Sequence, residues 1–121
     1  MDLDGTIANS KASHYGDCAP NTSVIKKMQY YREAGFNIVI FTARNMFTYK
    51  GDIDKINIYT LPVILDWLAR HKVPYDEVIL GKPWCGNDGF YVDDRAIRPE
   101  EFATLSREEI NTLLGSGESH A

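Results

Sequence analysis

Two carboxylates one residue apart open the chain in the string Asp2-Leu3-Asp4-Gly5-Thr6. Like charges this close repel, and neither carboxylate can be buried in an apolar core without a partner. The spacing therefore predicts a cation between them. Three later fragments carry further polar groups: Phe41-Thr42-Ala43-Arg44-Asn45, Gly81-Lys82-Pro83-Trp84 and Tyr91-Val92-Asp93-Asp94-Arg95. Together, the four fragments have the composition of a magnesium-dependent phosphoryl-transfer site.

The chemistry of phosphoryl transfer explains why these residue types would be combined. A carboxylate nucleophile and a phosphate dianion repel each other, so the attack needs a bridging cation and donors for the equatorial oxygens. Each residue also has an ordinary structural alternative. Thr42 suits a strand, Lys82 suits a solvated loop, and Asp93-Asp94 would cap a helix ahead of Ala96-Ile97. The ordered combination favours the functional interpretation.

Three apolar runs, at residues 37–42, 77–80 and 90–92, contain many β-branched or aromatic residues. Continuous apolar runs of this kind predict strands covered on both faces, as in a parallel sheet. Thr42 ends the first run, Asp93 directly follows the third, and Lys82 lies two residues beyond the second. We therefore expect the polar residues at the carboxyl ends of the strands, where open α/β sheets bind their ligands.

Helical spacing separates these strands. The first helix is expected to end at Gly35, and the second to begin near Thr60 with Pro62 in its first turn. Their predicted buried stripes are Val24, Ile25, Met28 and Tyr31, then Leu61, Ile64, Leu65 and Leu68. Ser106-Arg107-Glu108-Glu109 is a capping box for a further helix. The alternation predicts an α/β fold with a doubly wound parallel sheet, in a single domain at 1–114 with a disordered tail at 115–121.

Composition disfavours several partners. Thirteen basic and seventeen acidic side chains give a net charge of −4, which exerts no general attraction on nucleic acid or anionic membrane. No apolar run approaches the roughly 20 residues of a membrane helix, and no charged-then-apolar leader precedes the first motif. Cys18 and Cys85 lack the spacing of metal ligands and are expected to be reduced thiols. We therefore expect a cytoplasmic protein without nucleic-acid or membrane partners.

In this order, the four fragments resemble the motifs of the haloacid-dehalogenase (HAD) superfamily of aspartate-nucleophile phosphatases, which have a Rossmann-like sheet. The likeness spans roughly residues 1 to 105. Thr-Ala-Arg-Asn-Met, Gly-Lys-Pro-Trp-Cys-Gly and Val-Asp-Asp-Arg-Ala-Ile-Arg-Pro are similar to the small capsule-biosynthesis phosphatases of bacteria. The resemblance implies a hydrolase of phosphoric monoesters acting on a phosphorylated sugar or related small metabolite. The alternatives are a phosphatase for a polymer end and a non-catalytic phosphate- or metal-binding remnant.

The resemblance also implies roles for the four aspartates. Asp2 would attack phosphorus and form an aspartyl-phosphate, and Asp4 would protonate the leaving oxygen and later activate water. Mg²⁺ would be bound by the carboxylates of Asp2 and Asp93 and by the main-chain carbonyl of Asp4. Asp94 would orient a metal-bound water.

Catalysis would further use Thr42, as a donor to a phosphoryl oxygen, and Lys82, as a positive charge beside Asp2. The candidate substrate-binding residues are Thr42, Arg44, Asn45, Lys82, Arg95 and Arg98. The last two arginines would either hold a second anionic group or balance acidic neighbours. Trp84 is either a stacking surface for a sugar or nucleobase or an ordinary packing residue.

Substrate access depends on two segments. Both positions at which the superfamily inserts a cap are short, so no separate cap domain is expected. Residues 8–19 would form a flap, and the connection at 43–59 would be lid-like or partly helical. An open site implies either a large substrate or a neighbouring subunit over the entrance, and the second option predicts a homo-oligomer. Only Met1 precedes Asp2 where the family has a strand of about five residues, so the N-terminal strand is expected to be truncated.

Overall fold

Two short parallel strands lie side by side in the first part of the chain. Strand β1 (Val39–Thr42) pairs with β2 (Glu77–Leu80), with Val39 opposite Glu77 and Thr42 opposite Leu80. The structure is a computed structural model that describes residues 1–9 and 15–115. Ile40 and Thr42 are almost fully buried, while Phe41 between them is exposed, as expected when successive side chains point to opposite faces. The positions of two of the three predicted strands are thus confirmed. The expected cover on both faces is wrong, because Phe41 is 39% and Ile79 41% exposed.

Met1 extends this ladder on the other edge of β1. Its ammonium group donates to the carbonyl of Val39 at 2.7 Å, and the Phe41 amide donates to the carbonyl of Met1 at 2.8 Å. The carbonyl of Thr42, by contrast, accepts from the amide of Lys82, which follows β2. Because successive backbone groups of a strand point to opposite edges, Met1 and β2 lie on opposite sides of β1. Burial lowers the pKa of the Met1 amino group below its ordinary value. The truncation of this strand stays a prediction.

The helical segments of the described residues are a 3₁₀ turn Tyr15–Asp17, α1 Thr22–Glu33, α2 Ile53–Lys55, a π-helical stretch Ile56–Thr60, α3 Leu61–Arg70, α4 Pro99–Thr104 and α5 Arg107–Leu114. Helix α1 begins where the Asn21 side chain accepts a hydrogen bond from the Val24 amide. Helix α3 begins with Pro62 in its first turn, as the sequence predicts. The connection at 43–59 is partly helical, which confirms that expectation.

Helix α3 packs its apolar face into the core of the first part of the chain. Trp67 is fully buried there, and its indole N–H donates to the carbonyl of Cys18 at 2.8 Å. Leu65, predicted in the buried stripe, is 39% exposed. The predicted stripe was therefore wrong at one position, and the sequence did not identify Trp67 as a core residue. The fully buried neighbours include Leu3, Ile7, Val24, Met28, Ile40, Ile56, Ile64 and Leu68.

The third predicted strand, at residues 90–92, is wrong. This segment belongs to no strand of the described chain, and its three side chains are 78%, 51% and 88% exposed. An apolar run forms a buried strand only if other elements cover it, and the side chains here remain in contact with solvent. The alternative interpretation of Asp93-Asp94 as a helix cap is also wrong, because the next helix, α4, begins only at Pro99.

The chain divides into two units, Met1–Trp84 and a second unit that begins at Cys85. The structure shows a mixed α/β fold in which the parallel strands belong to the first unit. In the second unit, α5 carries the predicted capping box, because Ser106 Oγ accepts from the Glu109 amide at 3.1 Å and Glu109 Oε1 accepts from the Ser106 amide at 2.8 Å. Most of the predicted tail, at 116–121, and the middle of the predicted flap, at 10–14, lie outside the described residues. Among the residues described, no helix combines the length and the apolar composition needed to cross a membrane.

Candidate functional site

The loop that carries the two N-terminal carboxylates is closed by its own backbone. The carbonyl of Leu3 accepts hydrogen bonds from the amides of Thr6, Ile7 and Ala8 at 3.2, 2.9 and 2.9 Å. Leu3 and Ile7 are fully buried and anchor the loop in the core. Asp2 and Asp4 flank the buried Leu3, so this anchoring fixes the backbone on which both carboxylates are mounted.

Asp2 lies beside Lys82. Its Oδ1 is 3.7 Å from the Lys82 ammonium nitrogen, and its Oδ2 accepts a hydrogen bond from the Thr6 hydroxyl at 3.1 Å. The side chain of Asp2 is 38% exposed. A long, partly exposed ion pair of this kind contributes little to stability, so it holds Asp2 only loosely. The arrangement leaves a carboxylate that solvent and small ligands can reach, with a positive charge next to it.

Thr42 is the last residue of β1 and is hydrogen-bonded to the main chain of Lys82. The amide of Lys82 donates to the Thr42 carbonyl at 3.1 Å, which brings the loop after β2 against the end of β1. Thr42 is 1% exposed, and its hydroxyl oxygen accepts a hydrogen bond from the Arg44 amide at 3.1 Å. A hydroxyl that accepts one hydrogen bond still carries its own proton. Thr42 can therefore donate to an oxygen placed near the end of the strand.

Arg44 and Asp4 form a bidentate ion pair. Arg44 Nε donates to Asp4 Oδ2 at 3.0 Å, and Arg44 Nη2 donates to Asp4 Oδ1 at 2.7 Å. The Arg44 side chain is only 1% exposed and that of Asp4 23% exposed. Such paired hydrogen bonds fix the plane of the carboxylate as well as its position. The sequence predicted both residues in the site but assigned Arg44 to the substrate, and no sequence signal pairs residues 40 positions apart.

The Asn45 side chain forms hydrogen bonds to Thr48 and Thr60. Its side-chain oxygen accepts a hydrogen bond from the buried Thr60 hydroxyl at 2.7 Å, and its amide nitrogen donates to Thr48 at 3.2 Å. Its φ of 61° lies in the left-handed region, which asparagine tolerates better than most residues. The structure therefore places Asn45 where it joins the loop after β1 to the π-helical stretch.

The remaining predicted residues belong to the second unit. Asp93 Oδ1 accepts a hydrogen bond from the Arg95 amide at 2.7 Å, which closes a tight turn, and Asp94 is exposed. The Arg98 guanidinium lies 3.8 Å from Glu100 in a highly exposed pair. In these contacts, Asp93 stabilises its own turn and Arg98 pairs with a residue two positions away. That Asp93 and Asp94 contribute to the same site as Asp2 stays a prediction.

The residues near Asp2 are partly suited to magnesium. Within residues 1–9 and 15–115, no three side chains of His, Cys, Asp or Glu lie close enough together to hold a metal ion. Magnesium requires no such cluster, because it binds one or two carboxylates and keeps several waters. Asp2 offers an accessible carboxylate, whereas both carboxylate oxygens of Asp4 are engaged by Arg44. The Asp2 carboxylate is thus a suitable donor, and the contribution of the Asp4 main-chain carbonyl stays a prediction.

Gly81 sets the direction of the chain between β2 and Lys82. Its φ is +85°, in the left-handed region, and a Cβ added there would lie 2.8 Å from Cδ1 of Ile53. A side chain at this position would therefore strain the backbone and press on Ile53. The glycine allows the chain to turn so that Lys82 follows the strand toward Asp2.

Gly81→Ala is expected to lower the free energy of unfolding by about 1–2 kcal/mol and to weaken phosphate binding, because Lys82 is displaced. Urea unfolding and inhibition by inorganic phosphate measure the two effects. Gly35→Ala is the matched control, since Gly35 has a φ of +94° but nothing within 4 Å of an added Cβ. Unchanged phosphate inhibition in Gly81→Ala would contradict the positioning role of the glycine.

Comparison with known proteins identifies one relative of this chain. No family model matches the sequence, and no curated protein gives a significant match. The crystal structure of an MCSG target from Vibrio cholerae is 54% identical in sequence and superposes with a TM-score of 0.94, covering 97% of this chain and 95% of that one. This chain therefore belongs to the same family as the Vibrio cholerae protein.

A second solved structure shares the fold alone. A chain in the structure of a Pnkp1/Rnl/Hen1 complex is 22% identical, with a TM-score of 0.52. The match covers 85% of this chain but only 32% of that chain. The likeness supports the mixed α/β fold of a chain segment of this size.

Proposed function

We propose that this protein is an HAD-type phosphomonoesterase that uses Asp2 as its nucleophile and Mg²⁺ as its cofactor. One observation carries the proposal: fragments far apart in the sequence meet at the carboxyl ends of parallel strands. There the Asp2 carboxylate lies 3.7 Å from the Lys82 ammonium, and the Lys82 main-chain amide donates to the Thr42 main-chain carbonyl. A nucleophile, a cation and a hydroxyl donor are the groups that phosphoryl transfer requires. The expected substrate is a phosphorylated sugar or related small metabolite, in capsule or polysaccharide biosynthesis by resemblance.

In this proposal, Asp2 attacks phosphorus with the carboxylate oxygen that solvent reaches. The P–O bond to the leaving group breaks as the bond from Asp2 forms, and the phosphoryl oxygens take up hydrogen bonds from Thr42 and Lys82. The Arg44 amide donates to the Thr42 oxygen, which leaves the Thr42 hydroxyl proton for a phosphoryl oxygen. Such preorganised donors stabilise the charge that develops in the transition state.

Asp4 serves as the acid and base next to this nucleophile. Its pair with Arg44 uses one lone pair on each carboxylate oxygen, and a carboxylate has about four such positions. Asp4 remains 23% exposed, so a proton or a water can reach the oxygens from the solvent side. Arg44 thus acts as a positioning residue for Asp4, and the proposal no longer needs it as a substrate ligand.

Magnesium, when bound, would neutralise the repulsion between the Asp2 carboxylate and the phosphate dianion. In the first unit, the residues to hold it are Asp2, through its carboxylate, and Asp4, through its main-chain carbonyl. The proposal also includes Asp93 as a carboxylate ligand of Mg²⁺ and Asp94 as the residue that would orient a metal-bound water. The proposal also includes the doubly wound parallel sheet and a cytoplasmic location, where thiols such as Cys18 and Cys85 stay reduced.

The test is phosphate release from a panel of sugar phosphates, nucleotides and phosphopeptides, with and without Mg²⁺, using protein made from the full reading frame. We expect turnover of small phosphomonoesters that is lost with EDTA and restored by Mg²⁺. Preference for phosphopeptides or for the ends of nucleic acids would instead favour the polymer-end phosphatase. Inactivity across the panel with added Mg²⁺ would reject the phosphatase and leave a binding protein.

A further inference from the structure

Two exposed aromatic side chains meet next to the candidate site. The ring centroids of Phe47 and Trp84 lie 4.7 Å apart with an interplanar angle of 49°. Phe47 is 69% exposed and Trp84 46% exposed. Large apolar side chains grouped at the surface commonly mark a binding surface. The contact between the two rings covers only part of each, so much of both rings is accessible to a ligand.

The position of the pair follows from the strand topology. Phe47 lies in the loop after β1, three residues beyond Arg44, and Trp84 lies in the loop after β2, two residues beyond Lys82. Because β1 and β2 are parallel and in register, both loops leave the sheet at the same edge. Two residues of chain span at most about 7 Å. The aromatic pair therefore joins the two loops within reach of the Lys82 end of the site.

An ordinary packing contact in the same unit looks different. On α1, Tyr31 is edge-on to both Tyr30 and Phe36, with centroid distances of 5.2 and 5.0 Å. Tyr31 is only 8% exposed, so that cluster is anchored by a buried ring. The pair of Phe47 and Trp84 has no buried member. It is therefore less well explained by core packing than the cluster on α1.

We infer that Phe47 and Trp84 form the surface that receives the leaving group of the substrate, and that this leaving group carries a ring with an apolar face. The inference rests on the proposed phosphatase function. A ligand with a phosphate at one end and a flat ring at the other matches a site with Lys82 and Thr42 beside an aromatic surface. The C–H face of a sugar ring and the face of a nucleobase both offer this chemistry. The two rings determine specificity and take no part in bond breaking.

The kinetic test compares a hexose monophosphate, a nucleoside monophosphate and glycerol phosphate, which has no ring. Phe47→Ala and Trp84→Ala are each expected to lower kcat/KM for a ring substrate by about tenfold, mainly through KM, and to change glycerol phosphate by less than about twofold. Trp84→Phe should restore most of the loss. Tyr30→Ala is the control, because it removes an exposed aromatic ring on α1. The ring substrate with the larger loss identifies the leaving group as sugar or base.

Binding is measured separately by fluorescence in the Asp2→Asn background. The chain has two tryptophans, and Trp67 is fully buried, so a ligand on the surface is expected to change mainly the emission of Trp84. Hexose monophosphate should shift this emission, and the shift should vanish in Asp2→Asn with Trp84→Phe. Equal losses on all three substrates, or none, would overturn the ring surface while the phosphatase stands. If no substrate is hydrolysed, the phosphatase fails and the leaving-group surface fails with it, and an emission shift would then show only that the rings bind the ligand.

Discussion

Asp2→Asn is expected to abolish phosphate release, with a fall of at least about 10³-fold in kcat. An amide has no negative charge with which to attack phosphorus, whereas its shape matches that of the carboxylate. The amide oxygen can still accept the hydrogen bond that Thr6 donates to Asp2. The change also removes an ion pair with Lys82 that is long and partly exposed, so the free energy of unfolding should change by less than about 1 kcal/mol.

Asp66→Asn is the matched control for this substitution. Asp66 is an exposed carboxylate on α3 that pairs with Arg70 at 2.9 Å, so the control also breaks an ion pair. Its activity should equal that of the native protein. Intact-mass measurement after rapid quenching should detect a phosphorylated protein in the native chain and none in Asp2→Asn. Retention of more than about a tenth of the activity by Asp2→Asn would exclude Asp2 as the nucleophile.

The elements that position the site followed from local sequence patterns. The β-branched run before Thr42 predicted β1, and the register with β2 places Lys82 at the same edge because both strands are parallel. The capping box at Ser106 is a local signal that involves residues only a few positions apart. Predictions from such short-range signals succeed where neighbouring elements pack against the segment as predicted. The segment at 90–92 had the same pattern but belongs to no strand of the described residues, and its side chains are exposed.

The buried stripe that runs from the π-helical stretch into α3 shows a second limit of sequence-based prediction. Ile56, Thr60, Ile64 and Leu68 are all buried, at a constant spacing of four residues. A regular α-helix has 3.6 residues per turn, so residues four apart drift around its axis. The π-helical stretch Ile56–Thr60 has a wider turn and reduces this drift. A prediction based on a regular period cannot anticipate that change. The error at Leu65 is separate, because Ile64, Trp67 and Leu68 keep the regular i, i+3, i+4 spacing within α3.

The ion pair between Arg44 and Asp4 was not predictable from the sequence for a different reason. Both residues belong to motifs that the sequence singled out, yet periodicity does not show which charge is buried. Arg44 is 4% exposed, and a buried guanidinium requires an anionic partner. The partner is fixed by the fold, which brings the loop after β1 against the N-terminal loop. The sequence thus singled out both residues, and the structure supplied the contact between them.

Arg44→Ala is expected to lower phosphate release from a sugar phosphate by about 10²-fold, because Asp4 loses both hydrogen bonds that orient it as the general acid. The free energy of unfolding should fall by about 1–3 kcal/mol, less than for a fully buried pair, since Asp4 is partly exposed. Arg44→Lys keeps the charge but not the two parallel hydrogen bonds, so intermediate activity is expected. Urea unfolding and steady-state kinetics measure these changes.

The leaving group separates a positioning role from a structural one. An aryl phosphate whose phenolate leaves readily needs little protonation, so Arg44→Ala should lose much less activity on it than on a sugar phosphate, whose alkoxide requires the acid. Arg32→Ala is the control, because Arg32 pairs with Asp76 at 3.1 Å in a partly exposed position on α1. It should reduce stability slightly and leave both substrates unaffected. An equal loss on the two substrates in Arg44→Ala would mean that Arg44 supports the fold of the site without acting through the protonation of the leaving group by Asp4.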